Sequence, residues 1–492
     1  MDTDRKTPYP PPQAHAAPGS SPAPAVYEYN LNGYDDSNSL ELQQRPKREL
    51  RTWGDIRQEW KYGSKSRVFR YYILYVLIGR QEITADVCIL GGGGTGSYAA
   101  AQFISRGYSV AVVEKEDHLG GHSHTLYVDG GHFEYGVGGY FNLEITRNFF
   151  DLVGVPYENF TAPAATYDFI NFETGERVNP GHSLDPYTAA SQYLAALRQF
   201  DYLWTGAYYL PDEVPEVLLR PFREFVEANS LRGVLQFVQT WTKAVGNLLE
   251  TPLLYVIQGF SLSPIDGFLR VGGIVPKNGT RELFRMAARY IGERNTLYSS
   301  RLTAANRNST GVELLVEGVR GLQTVVRAKQ LLITFPPILA NLDGFDLDGD
   351  ERSVFSKLRH NSFYGGIVAN TSIPDGVNLV NLNPSNQPGN LPLPPFLYAL
   401  DYTGISGYHT TRITGDAHFT EADARRLLLG DLKRMEEVGT FPGANGFYKK
   451  LYALQGHRST YYTGYTFCTD YSPQLWNYTL SIVDLMNPER RS

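Results

Sequence analysis

Three glycines, Gly91, Gly93 and Gly96, stand at G-x-G-x-x-G spacing directly after the apolar run ADVCIL and open the small-residue stretch SYAAAQFISRG. Each glycine answers a different need. The first permits a tight turn, the second lets the backbone approach a pyrophosphate, and the third lets a helix pack closely on a strand. Phosphates set there would meet the positive end of the helix and its free N–H groups. Gly94 and Thr95 lie inside the same turn and belong to the same cradle. Glu114, followed by Lys115, ends the next apolar run, VAVVE. A carboxylate there can accept hydrogen bonds from a ribose diol, and it would repel the ribose phosphate of NADP. A second glycine pair, Gly120–Gly121, then leads into His122, Ser123, His124 and DGGHFEYGVGG. Backbone so bare of side chains implies a large, flat molecule passing close by.

Such residues need a strand, a glycine turn, a helix and a second strand to hold them. The chain supplies that βαβ order from about Ile83 to Val113. Residues 185 to 260 alternate apolar and polar groups at helical spacing, most clearly over Leu219–Leu249, with Pro221 as a helix start. Arg281–Tyr290 reads as a further helix, and the runs VELLVEG, LQTVVRA and KQLLITFPP as strands. A Pro- and Asn-rich section near 374–395 precedes a last αβ region. The expected fold is α/β: a Rossmann-like dinucleotide-binding domain with an interleaved substrate domain of mixed sheet and helices. The boundaries read as a disordered tail over 1–48 and an N-terminal extension over 49–82. The nucleotide-binding domain takes 83–175, 273–345 and 446–492. The substrate domain takes a helical part, 176–272, and a second part, 346–445.

Composition narrows the function classes. The chain has 492 residues, 42% hydrophobic and 20% charged, ordinary for a soluble protein with a large core. A net charge of −6 provides no basic field for nucleic acid. The 2 cysteines, Cys88 and Cys468, make no disulfide framework. Cys88 falls in an apolar strand and reads as a small buried hydrophobe. The N-terminus MDTDRKTPYPPPQ lacks the layout of a signal peptide, which favours the cytoplasm. The most apolar run, YYILYVLIG, is about half of the ~20 residues a spanning helix needs, so no integral membrane segment is expected.

The segment VVEKEDHLGGHSHT resembles the Glu-x(5)-Gly-Gly signature of the FAD-dependent amine oxidase, protoporphyrinogen oxidase and carotenoid desaturase superfamily. STYYTGYTFCTDYSPQLWNYT resembles its C-terminal FAD segment, which would set Gly464 and Tyr465 against the flavin. Leu302 matches the position whose backbone reaches the adenine. Within that superfamily, GGHSHT, LITFPPILANLDGFDLDGDE, VFSKLRHNSFYGGIVANTSIPD and YYTG…LWNYT are most similar to the fungal β-cyclopiazonate dehydrogenase family. The resemblance runs from about Ile83 to Leu485. It implies an FAD enzyme, often one that tailors a secondary metabolite. It also implies non-covalent FAD, because Cys468 lies after the final glycine strand, whereas cysteinyl-flavin oxidases carry that cysteine before it. Most superfamily members have Arg where His122 stands.

The catalytic residue stays open at this stage. His122, Lys277, His457 and Tyr462 are the candidates, each set against plain packing or a surface position. His124 and His132 flank a glycine turn, but no histidine and carboxylate set has metal spacing, so no metal site is expected. The implied reaction is removal of a hydride from a small organic substrate, an amine or indole among the options, with molecular oxygen one acceptor for the reduced cofactor. A flavin monooxygenase is the alternative enzyme, although no second intact glycine motif exists for a separate pyridine-nucleotide domain. A non-catalytic binding protein, like the Rab GDP-dissociation inhibitors that share the superfamily fold, is the third.

Overall fold

The computed structural model of the protein describes residues 25–30, 81–128, 131–181, 183–369, 371–440, 454–463, 479–483 and 486. Expectations for Gly464, Tyr465, Cys468 and most of residues 1–80 lie outside these. Strand β1 (Ala25–Asn30) comes first, then β2 (Gln81–Leu90), helix α1 (Gly94–Ser105) and β3 (Val110–Val113). The hairpin β4 (Thr125–Val128) and β5 (Gly131–Glu134) follows, then β6 (Tyr140–Phe141), α2 (Glu144–Val153), β7 (Tyr157–Asn159) and β8 (Thr166–Ile170). A helical stretch holds α3 (Pro186–Leu197), α4 (Glu216–Leu219), α5 (Phe222–Ala228), α6 (Leu235–Thr242), α7 (Leu253–Gly259) and α8 (Leu262–Arg270). The chain returns through β9 (Gly273–Pro276), α9 (Thr280–Ile291), β10 (Thr296–Leu297), β11 (Arg301–Asn308), β12 (Gly311–Glu317) and β13 (Gln323–Ile333). It then runs through α10 (Gly349–Phe355), β14 (Ser362–Ala369), β15 (Val377–Asn381), β16 (Phe396–Tyr402), β17 (Tyr408–Gly415) and α11 (Glu421–Val438).

Two six-stranded sheets organise these elements. The first has the order β10-β3-β2-β13-β12-β11 and is parallel across its first four strands. Its central strand β2 is covered on both faces, which is why it reads as a continuous apolar run. Val87 and Ile89 pack toward α1 and α9, whereas Ala85, Cys88 and Leu90 belong to a separate cluster that includes Leu342, Phe345 and Leu347 from the segment after β13. Ala100 and Ala101 on α1 are fully buried, and their small size lets the helix lie close to the sheet.

The second sheet has the order β1-β14-β17-β16-β15-β8, with β8 parallel to β15. One face packs Leu397, Leu400 and Ile413 against Ala424, Leu428 and Met435 of α11. Its other, inner face meets the β4–β5 hairpin, where Ile367 packs on Phe133 and Tyr135.

The structure corrects the element reading in several places. Residues 25–30 are a strand, although 1–48 reads as a disordered tail; AVYEYN is a short run of strand formers that completes an open edge on β14. Strand β2 starts at Gln81, inside the extension assigned to 49–82, because it pairs with β13 from Thr324 onward. The runs LQTVVRA and KQLLI are one strand, since that same parallel partner spans both. The helical run over 219–249 is broken after α5, where Ser230 takes a φ of 56°. Pro221 is the N-cap of α5, so that helix does start where the proline marks it. Strand β8 lies within 83–175, yet it pairs in the second sheet.

Candidate active site

The turn between β2 and α1 closes on itself. Gly91 has a φ of +100°, and a Cβ on Gly96 would stand 1.8 Å from the Gly91 carbonyl oxygen. Nothing but glycine fits there without moving the backbone. Gly93 caps α1 with no side-chain bond, and the first turn has no acidic residue, so its backbone N–H groups face outward uncapped. Gly94 and Thr95 are exposed at this opening, and a Cβ on Gly94 would meet only the tip of Phe284, at 3.9 Å.

The two glycine loops are pressed together backbone to backbone. Gly93 and Gly120 form a β-bridge, and the Gly120 N–H donates to the Gly92 carbonyl at 3.0 Å. Gly121 has a φ of +54°, and a Cβ there would stand 2.9 Å from the Gly93 Cα. Glu114 is buried between the loops at 5% exposure. Its Oε2 accepts from the Gly92 N–H at 2.5 Å and its Oε1 from the Glu116 N–H at 2.8 Å. Each oxygen keeps a second lone pair for another donor. Leu302, on β11, is brought to the same corner: the Ser300 N–H donates to the Glu114 carbonyl at 2.9 Å, and Ser299 to that of Glu116 at 2.8 Å. Lys115 is exposed and pairs with Glu116 at 3.5 Å.

Beyond Gly121 the chain is tied to the next glycine stretch. The His122 carbonyl accepts from the Val137 N–H at 3.0 Å, and a Cβ on Gly136 would stand 2.0 Å from that same oxygen. The His122 ring keeps an open edge, but the surrounding loops desolvate it and, with the charge of Lys115, hold its pKa below the usual histidine value. It is therefore neutral near pH 7. His124 stacks on Tyr135 with centroids 5.3 Å apart, and burial first, then the nearby His118, His122 and Arg281, push its pKa down to about 4. An apolar cleft of about 250 Å³, lined by Gly94, Tyr98, Tyr140, Phe149 and Phe284, opens beside the start of α1.

Of the four catalytic candidates, His122 alone lies at the glycine loops. Lys277 is exposed in the turn between β9 and α9. His457 sits in an exposed turn, and Tyr462, 39% exposed, is tethered through its backbone to Gln455. Gly464 and Tyr465 lie outside the described residues.

A charged cluster escaped sequence reasoning. Arg412 of β17 donates through Nη1 to the Thr411 carbonyl at 2.7 Å and through Nη2 to the Gly136 carbonyl at 3.4 Å. The Lys243 ammonium lies 5.0 Å from the centre of the Tyr398 ring, whose hydroxyl bonds to Thr240 at 2.7 Å. The available signal was a lone arginine inside TTRITG, on a strand whose alternate residues are core.

A sequence profile described as an NAD(P)-binding Rossmann-like domain matches residues 89–154, the span of both glycine loops and Glu114. The chain is similar to the β-cyclopiazonate dehydrogenase of Aspergillus oryzae, with 35% identity over 433 residues that cover 83% of this chain and 94% of the relative. It is 32% identical over 447 residues to an FAD-dependent oxidoreductase of Emericella nidulans, covering 83% of this chain and 91% of that one. Among solved structures, its fold matches a CLA-producing fatty acid isomerase from P. acnes with a TM-score of 0.56 at 18% identity, over 82% of this chain and 99% of the other. Putrescine oxidase bound to putrescine matches with a TM-score of 0.52 at 16% identity, over 74% of this chain and 83% of the other. These two likenesses establish the fold alone, a parallel-cored sheet with helices joined to a second mixed sheet.

Proposed function

Because the chain belongs to the β-cyclopiazonate dehydrogenase family of FAD-dependent oxidoreductases, we propose that it removes a hydride from a small organic substrate onto non-covalently held FAD. The observation that carries this is the pair of glycine loops locked at Gly93 and Gly120–Gly121 with Glu114 buried between them. The uncapped N–H groups at Gly94 and Thr95 suit a pyrophosphate. The free lone pairs of Glu114 suit a ribose diol, and the Leu302 backbone, held at the same corner, suits the adenine. FAD, when bound, supplies the hydride acceptor.

The protein's own part is orientation and exclusion of water. Neutral His122, anchored through its carbonyl to the Gly136 stretch, places an imidazole rather than a cation beside the cofactor. Hydride removal suits a substrate activated by its own conjugation or nitrogen. The curated relatives are oxidoreductases, which lends the binding-protein alternative no support.

Flavin absorbance in the purified protein, released by denaturation without protease, tests the cofactor and its non-covalent hold. Anaerobic bleaching against amines, indoles and polycyclic intermediates then tests the reaction, and rapid recolouring on air identifies oxygen as acceptor. A chain purified from flavin-replete cells without flavin would sink the proposal.

A further inference from the structure

The inner face of the second sheet carries charge that holding a dinucleotide does not require. Alternation puts Arg412 and Asp401 on this face, since their neighbours Ile413 and Leu400 pack against α11 on the other. Lys243 arrives from the end of α6, held there by its carbonyl, which accepts from the Thr414 hydroxyl at 2.8 Å. Lys243 and Arg412 have no carboxylate within salt-bridge distance among the described residues, whereas arginines such as Arg307 and Arg327 are each paired with two. Asp401 is near enough to act on both through space but bonds to neither. The three groups sum to one positive charge in desolvated surroundings. All three are half-buried, which leaves part of each side chain open to a ligand.

This cluster adjoins both the glycine loops and an aromatic wall. Arg412 reaches the carbonyl of Gly136, and Gly136 is packed on the carbonyl of His122. Trp241, two residues before Lys243, stacks on Phe260 at 4.9 Å and meets Phe141 at 5.8 Å, yet keeps 39% of its surface exposed. One helical turn before Lys243, Gln239 is 1% exposed and neither of its amide atoms has a partner.

We propose that Lys243 and Arg412 form an anion subsite that holds an acidic oxygen, carboxylate or enolate, of a substrate whose planar apolar body lies along Trp241. Its place next to the cofactor rests on the dinucleotide reading of the glycine loops; its charge does not. Burial holds the Lys243 pKa down at about 8 in the free protein, and an anion would favour the ammonium form. Arginine and lysine are the usual partners for a desolvated carboxylate.

Calorimetric titration of the protein as purified, with benzoate and with benzamide as probes, tests the subsite whether or not flavin is present. Benzoate is expected to bind at least tenfold more tightly than benzamide. Lys243→Gln should erase that preference and Lys243→Arg restore it. Asp401→Asn should strengthen benzoate binding severalfold, a gain that misfolding does not produce. Equal binding of the two probes, or no binding of benzoate, would overturn the proposal. So would a Lys243→Gln protein with wild-type benzoate affinity and an altered flavin potential, which would put the charge at the cofactor. Absence of flavin alongside a charge-selective probe response would defeat the dinucleotide reading and leave the subsite standing.

Discussion

Glu114 shows how one side chain serves the protein before it serves a ligand. Its two oxygens already take the Gly92 and Glu116 N–H groups, so the carboxylate sets the shape of the loop as well as offering lone pairs outward. Glutamine keeps one acceptor and turns the other position into a donor, which would face an N–H or a ribose hydroxyl the wrong way. Losing a charged hydrogen bond costs about 1.5–3 kcal/mol, so Glu114→Gln is expected to weaken FAD retention roughly 10- to 150-fold. Equilibrium dialysis with absorbance of the released flavin measures it, and unchanged retention would mean the ribose binds elsewhere. Residues of this kind were legible in the sequence, because G-x-G-x-x-G and the following acid act through backbone within one βαβ unit. Lys243, Arg412 and Asp401 were not, because pairing of strands and helices far apart in sequence assembles them.

Among the elements, α9 lies beneath both glycine loops, with Phe284 touching Gly94 and Gly120. Its N-cap is Gly279, at a φ of +87°, which has no side chain to offer. Glu134 from the β4–β5 hairpin does the capping at a distance. It accepts from the Thr280 N–H at 2.9 Å, the Thr280 hydroxyl at 2.6 Å and the Thr125 hydroxyl at 2.8 Å. Truncation removes three hydrogen bonds at once, so Glu134→Ala should lower stability by about 2–3 kcal/mol, with Glu134→Gln milder because an acceptor oxygen remains. Urea unfolding midpoints of the two variants test this order, and equal midpoints would contradict it. Periodicity located α9 to within a residue at each end, since its apolar face repeats at helical spacing. It could not reveal the cap, nor β1, whose pairing partner β14 lies on the far side of both glycine loops in the chain.

For the whole molecule, cofactor and fold are linked by mass action. FAD at 100 times its dissociation constant should stabilise the flavin-stripped protein by about 2.7 kcal/mol. Thermal melts with and without added FAD should separate by several degrees, and coincident melts would show that FAD does not bind the folded state. The α/β class and the interleaving of two domains were readable from the order of glycine motif, helices and returning strands. Sheet membership of β8 was not, because a short strand carries no mark of which edge it will join. The parallel pairing of β2 with β13 also orders events in time. Arg327 and Glu82, bonded across that pair, are 245 residues apart. At translation rates of about 5–20 residues per second, the strand that leads into the cradle leaves the ribosome roughly ten to fifty seconds before its partner exists. During that interval its unpaired edge is a template for wrong pairing. The helical stretch made in between, with its own buried core, can fold while the cradle waits, and chaperone demand during synthesis should fall on the first half of the chain.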